Sequence, residues 1–134
     1  MRTLCLVLCF TVVVVSAGAG HQRFREKWNS VHSECQAETF VDEAIFESIR
    51  KGGNPDLPSN FGLHAFCMLK KLGFQDSNGQ PVVNHIRGAV KHNVDSAKVD
   101  QVVSECAVSK GSSEQTALHI FGCFSRNNVN IGQK

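Results

Sequence analysis

The sequence predicts an all-α fold, a compact bundle of about six short helices, and three observations carry that reading. Apolar residues recur at i, i+3, i+4 and i+7 in several stretches, no run alternates apolar with polar residues, and the 134 residues include only three prolines. With 42% hydrophobic and 19% charged residues, the chain has the composition of one small globular domain, which excludes a disordered tail, a collagen-like rod and a polytopic membrane protein. Its 14 Lys and Arg stand against 12 Asp and Glu, so no basic field exists to neutralise a run of phosphates and nucleic acid is not an expected partner.

Arg2, the apolar run Leu4 to Val15 and the small residues Ser16-Ala17-Gly18-Ala19 have the build of a secretory signal, with the cut expected after Ala19. The apolar stretch is too short for a spanning helix. Residues 1–19 are therefore expected to be removed, leaving a single domain over 20–134. Cleavage takes Cys5 and Cys9 with it and leaves Cys35, Cys67, Cys106 and Cys123, an even set in a chain bound for an oxidising compartment. Two disulfides are the default, and three connectivities are open. Structural zinc is the competing use, but the chain lacks the close Cys-x-x-Cys or Cys-x-x-His spacing that such sites use, and no metal or cofactor is expected.

Phe24, Trp28, Val31 and Cys35 fall on one stripe and predict a first helix of some fourteen residues, with a break at Gln36 to Thr39. Thr39 is expected to cap a short second helix with Val41, Ile45 and Ile49 inward, ended by Gly52-Gly53-Asn54-Pro55. From Ser59 to Gly73 the apolar arc of Leu63, Phe66, Cys67, Leu69 and Leu72 covers more than half of the circumference, which predicts a central helix. Asp76-Ser77-Asn78-Gly79 is a turn by composition, and Pro81 suits a first helical position. A fourth helix is expected from about Gln80 to Asn93 with Val82, Val83, Ile86, Ala89 and Val90 inward. A fifth runs from Ser96 to Ala107 on Val99, Val102, Val103 and Cys106. Ser112 and Gln115 form the pattern of a capping box ahead of a sixth helix with Ala117, Ile120, Phe121 and Phe124 inward. From about residue 126 a polar tail follows, with only Val129 and Ile131 apolar.

Helices this short are marginal alone, and a small helical domain buries too little surface for a large stability margin. Cross-links add about 2 to 4 kcal/mol each, which lets a helical shell survive even around a cavity that costs packing energy.

The block Cys67-Met68-Leu69-Lys70-Lys71-Leu72-Gly73-Phe74 followed by Asp76-Ser77-Asn78-Gly79, a first cysteine on helix one, Cys106 and the terminal Cys123-Phe124 together resemble the insect odorant-binding proteins. The resemblance covers essentially the whole mature chain. That family usually carries six cysteines, paired first to third, second to fifth and fourth to sixth. By its spacing Leu63 stands where the second cysteine belongs and Glu114 where the fifth belongs, so the lost pair is a mutually bonded one, as in the four-cysteine "minus-C" subgroup. The resemblance implies that Cys35 pairs with Cys67 and Cys106 with Cys123. Leu63 then puts an apolar side chain of core type in place of a cystine sulfur, and Glu114 belongs near solvent at a helix start, where the dipole favours it.

It further implies an apolar cavity inside the bundle and a secreted, extracellular carrier that moves a small hydrophobic ligand such as an odorant, pheromone or other semiochemical or lipid through aqueous fluid. A membrane chemoreceptor is the implied downstream partner, with the carrier a monomer or weak homodimer. The apolar residues expected to line the cavity are Phe46, Ile49, Phe66, Leu69, Phe74, Ile86, Val90, Val103, Leu118 and Phe121. Burying about ten ligand methylenes at roughly 0.8 kcal/mol each contributes about 8 kcal/mol before association costs, which sets micromolar or weaker binding as the expected strength.

Lys70 lies within the arc of the central helix and is the candidate polar anchor for a carboxylate or carbonyl oxygen. Among the six histidines, His32 flanks the inner stripe of helix one and is the candidate pH-sensitive contact. His85 and His92 align on one helix face but stand about 10 Å apart along its axis, too far to share one zinc. No His-Asp pair, Gly-x-Ser-x-Gly elbow, His-Glu-x-x-His helix, P-loop or dinucleotide fingerprint occurs, so no enzyme is expected. The alternative readings are a secreted module that acts through its surface and a non-olfactory lipid carrier in haemolymph or reproductive secretion.

Overall fold

The computed structural model describes residues 19–133, so the expected leader 1–19, with Cys5 and Cys9, lies outside the described residues up to its last residue. Six α-helices follow one another: α1 (Ala19–Glu38), α2 (Glu43–Arg50), α3 (Phe61–Leu72), α4 (Val83–Lys91), α5 (Val99–Cys106) and α6 (Ser113–Arg126). A 3₁₀ turn, Ser96–Lys98, leads into α5. No strand occurs among the described residues, where the extended pairing is an isolated bridge between Gln75 and Pro81. The fold class is all-α, as the periodicity implies.

α3 is the centre. Seven of its twelve residues are buried, among them Cys67, Met68, Leu69 and Leu72, and it packs against α1 on one side and α6 on the other. α4 and α5 pack together, and α5 reaches α6. Gly73 ends α3 in the left-handed conformation at φ +89°, which glycine adopts without a Cβ penalty. Two disulfides tie these elements: Cys35 to Cys67 joins α1 to α3 across 32 residues, and Cys106 to Cys123 joins α5 to α6 across 17. Loops of these lengths correspond to about 3 to 4 kcal/mol each in the chain-entropy account.

Several boundaries differ from the sequence reading. α1 does not break at Gln36 but continues to Glu38. The Gln36 side chain turns away from its own helix to clamp the backbone of Val41, accepting from its N–H at 2.8 Å and donating to its carbonyl at 2.7 Å. Thr39 is accordingly not a cap; Asp42 is, accepting from the Ala44 N–H at 2.9 Å. Val41, expected on the inner face of α2, is buried in the connector before it. Leu63, expected in the core arc, is 48% exposed, while its neighbour His64 is 1% exposed. α4 begins at Val83, because Pro81 is engaged in the bridge to Gln75 rather than opening a helix, and Val83 itself faces solvent.

The starts of α3 and α6 meet closely. A Cβ added at Gly62 would lie 2.9 Å from the Glu114 Cβ, so the starts of α3 and α6 touch there through a glycine. Close by, the buried Gln75 amide donates to the carbonyls of Gly79 at 2.9 Å and Ser113 at 3.0 Å, fastening the 73–82 loop to the first turn of α6. Ser112 caps that turn by accepting from the Gln115 N–H at 3.1 Å.

The C-terminal tail is part of the core. Asn128 takes the left-handed conformation at φ 55°, one of the few residue types that does so readily, and this reverses the chain after α6. Val129 and Ile131 then bury at 1% and 3% exposure. The Asn93 side chain imitates a strand partner for Asn130, donating to its carbonyl and accepting from its N–H at 3.1 Å. Gly132 at φ +115° rests on the Phe24 carbonyl and Trp28, where a Cβ would collide. Truncating Ile131 to Ala is therefore expected to cost about 2 to 5 kcal/mol in urea unfolding, as for a core isoleucine. A change below about 0.5 kcal/mol would mean a surface tail instead.

Candidate functional site

α2 is the least integrated helix. It has a strongly one-sided sequence, yet none of its eight residues is fully buried. Beside it lies an open groove with a volume of about 360 Å³, lined by Phe40, Val41, Asp42, Ile45, Asp56, Leu57, Pro58 and Asn60. Phe40 is 68% exposed and Leu57 48%, an unusual degree of exposure for large apolar side chains sharing one surface feature. The walls are apolar, and two carboxylates stand among them. One of these, Asp42, is already engaged in capping α2.

On the bundle side of α2, rings from three helices meet. Phe46 lies 4.8 Å from His32 of α1, 5.0 Å from His64 and 5.7 Å from Phe61, both of α3, measured between centroids. The two imidazoles are 5.2 Å apart, near edge-to-face. His32 Nε2 sits 2.8 Å from the Glu43 Oε1, and the Gln36 amide donates to the same oxygen at 2.8 Å. Burial alone would raise the Glu43 carboxyl, but the hydrogen bonds from Gln36 and His32 outweigh it and hold the group below its usual value.

His64 is the buried member. Its Nδ1 is 2.9 Å from the Thr39 carbonyl, and one turn earlier on α3 the Asn60 amide donates to the Phe40 carbonyl at 2.7 Å. α3 thus grips successive carbonyls of the connector that also walls the groove. The second ring nitrogen of His64, Nε2, is buried without a hydrogen-bond partner. Burial pushes the His64 pKa down, against the opposing pull of the Thr39 carbonyl.

The residues expected at a ligand are dispersed. Phe46 joins the ring cluster, and Ile49 is 43% exposed on α2. Leu69, Phe74, Ile86, Val90 and Val103 lie in the packed core, with Phe74 edge-on to Phe124 and His85. Phe66, Leu118 and Phe121 are half-buried against that core, as is Trp28, which stacks edge-on to Phe121 at 5.8 Å. None of the ten lines the groove. Lys70 is exposed, its ammonium 5.3 Å above the Phe66 ring. Sequence reasoning passed over Phe40, Leu57 and Pro58 because they stand in connectors without periodicity; an apolar residue beside each helix stop was the available signal.

Residues 19–127 match the PBP/GOBP family, the pheromone- and general-odorant-binding proteins. The chain belongs to this family. Two relatives come from Tenebrio molitor. The B2 protein is 23% identical over 100 residues, covering 74% of this chain and 77% of its own length. The B1 protein is 22% identical over 121 residues, covering 90% and 92%. The PBP/GOBP family is one of small ligand-binding proteins, a binding family rather than an enzymatic one. No helix among the described residues is long and apolar enough to cross a membrane.

Because its folded pKa is depressed, His64 binds fewer protons in the native than in the unfolded state. Its contribution to stability is complete above its ordinary value of about 6.5 and is lost as the pH falls through the folded value. Glu43 acts in the same direction at lower pH, through its own depressed value. Urea unfolding between pH 7 and 5 should show stability falling with acid, and His64→Phe should flatten the part of the fall below about pH 6.5. Parallel pH profiles for the two proteins would assign the fall to other groups.

Proposed function

We propose that this protein is a secreted carrier that takes up a small hydrophobic ligand, an odorant, pheromone or other semiochemical or lipid, and moves it through aqueous fluid. The observation that carries this reading is the apolar groove beside α2, whose volume of about 360 Å³ suits a small ligand, on a chain of the PBP/GOBP family. The ligand lies along Phe40, Val41, Ile45, Leu57 and Pro58. Phe66, Leu118 and Phe121 are partly buried against the core, where the fully buried members of the expected lining lie.

Secretion is supported by the leader expected at 1–19 and by two disulfides in the remaining chain. We place the protein in the four-cysteine subgroup of its family, with Leu63 and Glu114 at the vacated cysteine positions. A second reading, contact with a protein partner such as a membrane receptor through the same face, is favoured by the exposure of Phe40 and Leu57.

Displacement of an environment-sensitive apolar fluorophore from the oxidised protein by long-chain alcohols, aldehydes, esters and fatty acids tests the proposal. Saturable one-to-one binding with competition near micromolar levels is expected, weakened about tenfold or more by Ile45→Asp, since a carboxylate in an apolar wall resists desolvation. Absence of saturable binding in the folded, doubly bridged protein would move the function to the surface contact. Full binding by the Ile45→Asp protein would move the ligand away from the groove.

A further inference from the structure

We propose that His64 reads the polar end of the ligand as a hydrogen-bond acceptor, so that the protein prefers apolar ligands ending in a hydroxyl over matched aldehydes and esters. This rests on the carrier reading above and adds the ligand class to it.

The Thr39 carbonyl can only accept, so at 2.9 Å the hydrogen on the neutral His64 ring is on Nδ1. That leaves Nε2 with a bare lone pair, and it has no partner although the residue is 99% buried, at 1% exposure. An acceptor in this position is an asymmetric recognition device. It gains from an incoming O–H and repels the oxygen of an aldehyde or ester, which has only lone pairs to offer.

The surroundings reinforce the choice. The imidazole packed against His64, that of His32, has its Nε2 engaged with Glu43. The Phe46 ring also packs on His64, with Phe61 beyond it, and both are apolar walls suited to an alkyl or aryl body. Glu43 itself faces His32 and Gln36. Burial keeps His64 neutral at ordinary pH, so Nε2 retains its lone pair.

Access follows from the fold. Phe46 is carried on α2, the helix without a fully buried residue, and the groove runs along the connector whose Thr39 carbonyl fixes the His64 tautomer. For a ligand body in the groove to turn its polar end past the 39–41 connector toward His64, α2 must shift with Phe46 and release Glu43 from His32 and Gln36, while the two disulfides, which join other helices, stay intact.

The test compares decan-1-ol, decanal and methyl decanoate as competitors for an apolar fluorophore on the wild-type protein and on His64→Phe. In the wild type the alcohol is expected to bind about tenfold more tightly than the other two, the scale of one recovered buried hydrogen bond. In His64→Phe that ratio should collapse to within about twofold. Equal binding of the three by the wild type, or an alcohol preference that survives His64→Phe, would overturn the inference and leave the carrier intact. Failure of all three to displace the probe would overturn the carrier reading and this inference with it.

Should His64→Phe fail to fold, nitrogen-15 spectra of the wild type decide the matter. The His64 Nε2 resonance is expected at an unprotonated position without ligand and should move on addition of decan-1-ol but not of decanal. A protonated Nε2 in the free protein, or an identical response to both compounds, would overturn it.

Discussion

α3 must satisfy two neighbours at once, and the remainder of the bundle is arranged by that requirement. A helix held to α1 by Cys35 and Cys67 and pressed on α6 through Gly62 needs small or apolar residues around most of its circumference. Its sequence provides them, with Ala65, Met68, Leu69 and Leu72 buried between the two partners. Once α1 and α6 are fixed, Cys106 to Cys123 fixes α5, and α4 is held by packing on α5. The tail can then fold back to close the remaining edge, because Phe24 and Trp28 of α1 and Asn93 after α4 are already in place to receive it. α2 stands outside this chain of constraints. It meets α1 and α3 through Phe46 and Glu43 but buries none of its residues fully, and apolar surface stays open along it.

Much of this arrangement was legible because it depends on periodicity and on cysteine number. The apolar stripes located the helices, and the unbroken arc after Ser59 located the central one. What periodicity misses is any residue whose place is set by a side chain bonding to distant backbone. Gln36 looks like a helix breaker's neighbour until its amide is seen to hold Val41, which extends α1 and moves the cap of α2 to Asp42. Leu63 looks like core by its chemistry, but His64 takes the buried position because Thr39 offers a carbonyl there. Two apolar residues in a polar tail carry no helical signal, and their burial depends on Asn128 turning the chain and on Asn93 acting as a strand edge. The candidate site was the least legible part, since its groove is built by connectors and its distinguishing atom is one ring nitrogen.

That nitrogen also shows where stability and recognition meet in this fold. A buried acceptor left without a donor costs about 1 to 3 kcal/mol, a substantial fraction of the margin of a small domain. The two disulfides contribute enough through the unfolded state to offset such a defect, so the native bundle tolerates it. The cost is also recoverable. On the proposed reading a guest that brings an O–H to His64 regains it, and the gain adds to affinity. Filling the position permanently, by a side chain that donates to His64 or by an apolar residue in its place, would tighten the bundle and remove the asymmetry between ligands. An unpaired buried acceptor beside a helix with no fully buried residue is therefore consistent with the proposed carrier, because the feature proposed to select the guest is the one the guest repairs.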